Sequence, residues 1–569
     1  MYNEIAYILS ISVRHMKRDN LAKDFSRLKL RLGLVCKKEI DYFNSSRYLP
    51  KLAILFVKDS FLFYRSNMGV IIKEVLSGIA VSTLMIPEVI AFSYAAHLEP
   101  EDGLFATVIM SLIGSLLSST GGMVSGAAGA LAVVTKDLMD NLGPLGDLSI
   151  AQRREYVWVT IMFAGLFQIL FGYFRLAKFI KLIPESVMIG FVNGLSILIF
   201  ITQLTIFEKC DGNFKECTTA HTLYFMGFQS LEFWLTIICL LQTIAIVVFF
   251  PFIPKIGKII PSTLIALVLT TLWEHLFNRL LILQPVRTVG DISSFSGQFP
   301  IPSIPFITAP RWSIILSYAT MLGFIGICES ILTLGTVCSK LGKKMESQMA
   351  IQDSFAQGLA NLVCGLFNTQ GGSAMIAQAM ANIMNGATHR LSGIVVGLSV
   401  LLFTTALPSL IKLVPIACLS GVLCVIVAKT FYWKSFLLLL RIPIHDSITI
   451  LLVTILAVVY NLAIAVIVGV IWSCFCFTNS CSTSLTITIQ DNTHICEGVL
   501  YFGSVQIFLD HFKSVHEEDV VINCLNCQIM DYSAIHAIDS IKKQLHAQGI
   551  HVDFEFNELS LDYIDNCIK

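Results

Sequence analysis

The sequence has few charged residues and no net charge. Only 14% of its 569 residues are charged, and the formal net charge is +0, whereas soluble domains carry about 25% charged residues. Lysine and arginine form neither a basic stripe nor a nucleic-acid-binding motif, so we expect no nucleic-acid partner. The first residues also lack the charged start, short apolar run and cleavage site of a secretory signal peptide.

The sequence also lacks the residue groups of an enzyme. The apolar segments contain no nucleophile–base pair and no metal-ligand set, so we expect neither catalysis nor a bound cofactor. Cys524 and Cys527 have CxxC spacing, but no second pair accompanies them at metal-ligand distance. Cys210 and Cys217 share one polar loop, and a disulfide between them requires that loop to face an oxidising compartment.

The sequence is instead rich in long apolar segments. Hydrophobic residues make up 55% of the chain, and the mean hydropathy is +0.74. A membrane helix needs ~20 apolar residues, and about 14 segments approach this pattern. The sequence therefore predicts a polytopic α-helical membrane protein. The spans are expected near 71–95, 102–118, 155–174, 182–206, 231–251, 259–276, 312–336, 347–367, 391–409, 412–430 and 446–477, with broken segments near 126–140 and 373–384 and a short one near 433–440.

Composition divides the chain into three parts. Residues 1–65 are mixed and basic and predict a cytosolic N-terminal region, 66–480 hold the membrane segments, and 485–569 alternate strand and helix patterns. Lysine and arginine between the membrane segments favour both termini inside, although Arg153 and Arg154 run against that rule. Strands are expected near 485–489, 499–502, 520–522 and 552–556, and helices near 507–512 and 534–545.

Two glycine-bearing breaks lie inside apolar sequence. One runs from Gln370 to Met380 and the other from Gly121 to Leu131. A helix that begins there has N–H groups without partners and the positive end of its dipole inside the membrane. Such a start is tolerated only where it faces protein or a water-filled cavity, and it is an anion site. The alternative is that the small residues only allow close helix packing.

Buried acids repeat at nearly the same offset as the breaks. The glycine pairs at 121 and 371 are 371 − 121 = 250 residues apart, and Glu88 and Glu329 are 329 − 88 = 241 apart. Interrupted helices at matching places in two halves are typical of a transporter's binding site. A carboxylate inside an apolar helix is costly and by default functional. Glu329 is expected to bind Na⁺ or a proton, with Thr333 one turn away as a second oxygen ligand.

These stretches together resemble the sulfate permease (SulP) family of anion transporters, over about 60–569. The resemblance lies in Met85–Phe92, Ser125–Ala130, Ile183–Val187, Gly190–Gly194, Glu329–Leu334, Gly371–Gln378 and Arg390–Gly393. It implies fourteen segments in two inverted seven-segment repeats, divided between a core and a gate domain, with substrate between the broken third and tenth helices. The tail resembles the family's STAS domain through Gly498–Ser504 and Asp531–Ile535. Ser533 matches a position that is phosphorylated in soluble STAS proteins, although a helix start is the plainer interpretation.

The expected anion donors lie at the two helix starts. Backbone N–H groups, the Ser373 hydroxyl and the Gln378 amide supply them. Family carriers that use sodium have an acid at the position matching Glu329. Glu88 is expected to relay protons or to shape the core–gate interface. The full anion-binding set is Gly126, Ala127, Ala128, Gly372, Ser373, Ala374 and Gln378, and the coupling set is Glu329, Thr333 and Glu88.

The predicted function is secondary transport of a small inorganic anion, bicarbonate or sulfate, coupled to Na⁺ or H⁺ by alternating access. The family resemblance also allows an anion exchanger, a voltage-responsive motor protein or a nucleobase permease. The expected form is a homodimer in the lipid of the plasma membrane. Glu329 could instead be a structural residue that is protonated or paired with a base.

Overall fold

The computed structural model describes residues 68–557, apart from 177–182, 210–223, 255–260, 293–295, 304, 306, 308–309, 461, 491–492 and 514–518. The predicted N-terminal region 1–65, the cysteines Cys210 and Cys217, and the end of the tail therefore lie outside the described residues. So do Lys178, Lys181, Lys255 and Lys258, four of the nine lysines between the membrane segments from which the orientation was inferred.

Fourteen helices of nine or more residues form the membrane part of the described chain. Nine helices in the described ranges are long and apolar enough to cross a membrane, while α3 and α10 have only 11 and 9 residues. The helices are α1 (Met68–Ala95), α2 (Pro100–Leu117), α3 (Gly129–Met139), α4 (Ile150–Tyr173), α5 (Glu185–Gln203), α6 (Leu231–Phe249), α7 (Ser262–Trp273, continued as a π-helix over Glu274–Ile282), α8 (Trp312–Lys340), α9 (Ser347–Leu366), α10 (Ile376–Met384), α11 (Leu391–Ala406), α12 (Ile416–Thr430), α13 (Ile444–Val459) and α14 (Leu462–Ser482).

Each half of this bundle packs on the other through equivalent helices. If α1–α7 correspond to α8–α14, the contact of α4 with α9 corresponds to that of α11 with α2, and α8 with α4 corresponds to α1 with α11. In the remaining helices, α6 packs on α12 while α13 packs on α5. The helices α1–α4 and α8–α11 thus form one group, and α5–α7 and α12–α14 form another. This is the predicted division into core and gate built from two repeats.

Glycines bring two core helices, α4 and α9, into close contact. A Cβ atom on Gly165 of α4 would lie 2.6 Å from the Gly358 carbonyl oxygen of α9, and one on Gly358 would lie 2.7 Å from the Gly165 oxygen. Membrane helices gain no hydrophobic driving force from one another, so close backbone packing of small residues contributes to their association.

The predicted segment boundaries are wrong in one region. The expected single span 446–477 is two helices, α13 and α14, which separate at Tyr460. An unbroken helix of that length would extend for about 48 Å, well beyond a hydrocarbon core of about 30 Å. The expected short segment near 433–440 contains only the four-residue helix Ser435–Leu438.

Arg153 has a structural role that explains why it departs from the charge rule. Its side chain is 3% exposed. The guanidinium group donates to the carbonyl oxygens of Leu145, Leu148, Met139 and Gly146 at 2.8–3.1 Å. Met139 ends α3, where a cation stabilises the unpaired carbonyls of the last turn.

The C-terminal unit is an α/β sandwich of one sheet and two helices in the described tail. Its elements are β5 (Thr486–Gln490), β6 (Thr493–Leu500), α15 (Val505–Phe512), β7 (Asp519–Cys524), β8 (Cys527–Ile529), α16 (Tyr532–Ala547) and β9 (His551–Phe556). Strand order is β5-β6-β7-β9, with β8 also paired to β6, and only the β5–β6 pair is antiparallel. Each predicted strand and helix of the tail overlaps an observed one, but the strand predicted at 499–502 runs from Thr493 to Leu500, and the sequence interpretation missed β8.

Two histidines join this sheet to its first helix. His494 on β6 and His511 on α15 lie 3.0 Å apart through Nδ1 and Nε2, and both rings pack on Phe512. Burial, and then the neighbouring His494, lower the pKa of His511 from its ordinary value of 6.5. One ring must donate and the other accept, so the contact requires that at least one of the two rings is neutral.

We expect the C-terminal unit to loosen in acid. Because the pKa of His511 is lower in the folded state, its contribution to stability is present above pH 6.5 and is lost as the pH falls through the lowered pKa. Hydrogen exchange of β6 and α15 peptides in the full chain, corrected for intrinsic rates, should rise between about pH 7 and about pH 5. His511→Asn should flatten this rise, and the exposed control His536→Asn should not. An equal rise in all three proteins would contradict the assignment.

Candidate functional site

Two short strands join the halves at the centre of the core group. β1 (Ser125–Ala127) precedes α3, and β4 (Gly372–Ala374) precedes α10. They pair antiparallel, with Gly126 opposite Ser373, and all six residues are buried. Because equivalent strands that pair antiparallel run in opposite directions, the two halves are inverted relative to each other. Both predicted breaks therefore meet at one place. β2 (Glu208–Lys209) and β3 (Tyr224–Phe225) form a separate pair.

Side chains from neighbouring helices satisfy the outer edges of the strand pair formed by β1 and β4. The Ala127 N–H donates to Thr107 Oγ1 at 3.1 Å, the Gly372 N–H to Asn361 Oδ1 at 2.8 Å, and the Ala374 N–H to Ser330 Oγ at 3.1 Å. An unpaired backbone group in the membrane interior is costly, so these contacts permit strands there.

These bonds change the expected role of three residues. The N–H groups of Ala127, Gly372 and Ala374 are already donated to side-chain oxygens, so they are not open donors for an anion. The donors of the helix starts lie instead in the first turns of α3 and α10. Their N-cap residues, Ala128 and Met375, have extended backbones and supply no side-chain acceptor. The first-turn N–H groups have no acceptor inside the helix. The N-terminus of each helix therefore presents the positive end of its dipole without a side-chain cap.

Glu329 is bonded to the second strand. Its Oε2 accepts the Ser373 hydroxyl at 2.6 Å. The Thr333 hydroxyl lies 2.9 Å from both the Glu329 and the Ala374 carbonyl oxygens. Three side chains of α8, those of Glu329, Ser330 and Thr333, therefore contact β4. Carboxylate and hydroxyl oxygens are the kinds of ligand that a hard cation prefers.

Glu88 is also bonded to the second half. The Gln378 side-chain amide of α10 donates to its carboxylate, and Glu88 is close enough to Glu329 for the two charges to interact. In the described parts of the chain neither carboxyl group forms an ion pair with lysine, arginine or histidine. The alternative of a Glu329 locked by a basic partner thus finds no support in those contacts.

The two helix starts differ in exposure. Glu88, Ser373 and Gln378 are at most 3% exposed, whereas Glu329 is partly exposed and Ala377, in the first turn of α10, is exposed. The start of α3 is buried throughout. The α10 start and Glu329 are therefore the more exposed part of the site.

Comparison with known proteins identifies the family. The sulfate permease family pattern matches residues 71–454, more than half of the chain. The protein belongs to the sulfate permease family. It is 31% identical to YbaR of Bacillus subtilis (strain 168), over 88% of this chain and 97% of that protein. It is 27% identical to the bicarbonate transporter BicA of a Picosynechococcus species, over 70% of this chain and 68% of BicA.

The fold of this sulfate permease family member is also that of a solved structure. The murine Slc26a9 anion transporter in the inward-facing state aligns with a TM-score of 0.70 at 16% identity, over 85% of each chain. At that identity the likeness concerns the fold alone. It agrees with the multi-pass membrane architecture.

The structure adds residues that sequence reasoning missed in this family member. Thr107, Ser111, Ser330, Gln357 and Asn361 hold the strand pair, and none of them was expected at the site. A signal was present in Gln357 and Asn361, which are four residues apart in an apolar segment and so share a helix face.

We expect Gly372→Ala to separate the strand pair. A Cβ atom there would lie 2.1 Å from the Gly126 carbonyl oxygen, so the backbone must shift, at a cost of about 1–3 kcal/mol. The matched control is Gly335→Ala in α8, where the nearest neighbour of an added Cβ atom is Met345 Sδ at 3.6 Å. Thermal unfolding of the purified proteins should give a lower midpoint for Gly372→Ala only. Equal midpoints would contradict the close approach.

Proposed function

We propose that this protein is a secondary transporter of a small inorganic anion, bicarbonate or sulfate, that works by alternating access. The observation that carries the proposal is the pair of uncapped helix starts, α3 and α10, joined inside the core group by β1 and β4. Facing helix N-termini bind an anion through neutral N–H donors and partial charge. Because no fixed cation is needed, the anion can also leave.

The relatives support this class of substrate. The family is described as sulfate permeases, BicA is named a bicarbonate transporter, and Slc26a9 an anion transporter. Gly126, Ala127, Ala128, Gly372, Ser373, Ala374 and Gln378 surround the proposed site. Of these, Gly126, Gly372 and Ala374 shape it through their backbones, while the first-turn N–H groups supply the donors.

We further propose that transport is coupled to a cation, Na⁺ or H⁺, at Glu329. Two carboxyl groups, Glu88 and Glu329, lie beside the anion position, and their negative charge opposes anion binding. A cation on Glu329 removes that opposition, so each solute favours binding of the other. Glu329, Thr333 and the Ser373 hydroxyl are the proposed Na⁺ ligands, and Glu88 is the second group that can take a proton.

The proposed setting is a homodimer in the plasma membrane with both termini in the cytosol. The tail, 485–569, is proposed to be a STAS domain. Its sheet follows α14 directly, and Ser482 and Tyr501 donate to the Gly503 and Thr478 carbonyl oxygens across that junction. Ser533 is exposed and follows the N-cap Asp531, whose side chain accepts the Ala534 N–H at 2.9 Å. The helix start is thus formed without modification of Ser533.

We expect Glu329→Gln to abolish the gradient dependence of uptake. The amide keeps the size of the side chain but carries no charge for a cation to offset. Uptake of labelled bicarbonate and of labelled sulfate into proteoliposomes, with and without Na⁺ and H⁺ gradients, measures this. The control Glu346→Gln, at the exposed N-cap of α9, should keep the wild-type dependence.

The same assay separates the alternatives. Gradient dependence that persists in Glu329→Gln would remove this residue as the coupling group. Uptake that ignores both gradients but requires an internal anion would indicate exchange. A wild-type protein that takes up neither anion would contradict the proposed function.

A further inference from the structure

Helix α9 has one polar stripe in its buried surface. Asp353, Gln357 and Asn361 are spaced by four residues and lie on one face. They are at most 1% exposed. Buried amides and acids in a membrane helix require partners. Each of the three forms at least one hydrogen bond outside α9, at the strands or the segment that leads to them, although Asp353 Oδ2 and Gln357 Oε1 have no partner among the described residues.

Asn361 binds the backbone of Gly372 at two points. Its Oδ1 accepts the Gly372 N–H at 2.8 Å, and its Nδ2 donates to the Gly372 carbonyl oxygen at 2.9 Å. The amide thus replaces the neighbouring strand that an edge residue of a sheet would otherwise need. The two hydrogen bonds with Asn361 therefore hold Gly372, and with it this edge of β4, in place.

A second amide fixes the orientation of the first. Asn361 Nδ2 also donates to Gln168 Oε1 on α4 at 2.9 Å, and Gln168 Nε2 donates to the Gly323 carbonyl oxygen on α8 at 3.2 Å. If the Asn361 amide were reversed, its nitrogen would face the Gly372 N–H. The contacts therefore permit one orientation only.

The other two members of the stripe hold the first half. Gln357 Nε2 donates to Ser125 Oγ in β1 at 2.8 Å. Asp353 accepts the Ser118 hydroxyl at 2.9 Å and the Ser119 N–H at 2.7 Å, just after α2 ends. One helix face thus contacts β1, β4 and the segment that leads into β1.

We infer that this stripe of α9 positions the two helix starts for the anion, with Asn361 as the positioning residue for the α10 start. The inference rests on the proposed function. Asn361 touches Gly372, four residues before α10 begins at Ile376, so it acts on the anion donors through the backbone. A displacement of about 1 Å at a binding group can reduce the rate about 100-fold, so a helix start without a cap needs such support.

The test separates positioning from stability. Asn361→Leu removes both contacts with Gly372 at similar volume, and Asn361→Ser is the milder variant if the first does not fold. The control is Ser354→Ala, also buried in α9, whose hydroxyl donates only within its own helix, to Ala350, at 2.9 Å. Saturation curves of anion uptake, normalised to folded protein, give KM and the maximal rate separately.

We expect the Asn361 variants to raise KM about tenfold, as loss of a buried hydrogen bond implies, while folded Ser354→Ala keeps the wild-type KM. Gln168→Leu, which does not touch Gly372, should raise KM in the same direction by less. Hydrogen exchange of the peptide containing Gly372 should increase in the Asn361 variants and not in Ser354→Ala, and this readout is independent of transport.

The outcomes are distinguishable. A wild-type protein without saturable uptake removes the proposed function and this inference together. Saturable wild-type uptake with an unchanged KM in the folded Asn361 variants removes this inference alone. A lower unfolding temperature of the Asn361 variants without a change in KM would mean that the stripe only stabilises the bundle.

Discussion

The constraint on which this architecture depends is that backbone N–H and C=O groups inside a membrane must be paired. Helices meet it by themselves, but β1 and β4 do not, because a two-stranded sheet has two open edges. Here hydroxyl and amide side chains from α2, α8 and α9 cover those edges. The cover makes it possible for two helices to begin at the centre of the bundle with their positive ends unoccupied by any side-chain cap.

The contacts at the two helix starts are not symmetric, although the helices around them are. Glu329 and Glu88 come from equivalent helices of the two halves, yet both bond to the β4–α10 segment, through Ser373 and Gln378. The α3 start has no carboxyl partner of this kind among the contacts described here and is buried, whereas Ala377 in the first turn of α10 is exposed. A change in the charge of Glu88 or Glu329 therefore acts directly on the β4–α10 segment, which belongs to the second half.

Much of the architecture was predictable because it follows from local patterns. Apolar length predicts the helices, the glycine-bearing breaks predict α3 and α10, and alternation predicts most of the tail. The errors have physical causes. The split between α13 and α14 lies in an apolar stretch that only Tyr460 and Asn461 interrupt, and two residues are too few to mark a boundary by hydropathy. β8 has only three residues, too few for an alternation to be recognised, and it is stabilised by pairing with β6.

The sequence by itself determined that the chain is a membrane protein, that it has two similar halves, and that acids and glycine-bearing breaks occupy matching places in them. These properties are carried by residue type and spacing. Only the tertiary structure decided that Gly126 lies opposite Ser373, that Glu88 bonds to Gln378, and that Asn361 holds Gly372. Each of those contacts joins residues from different helices, and no local pattern specifies which buried donor meets which acceptor.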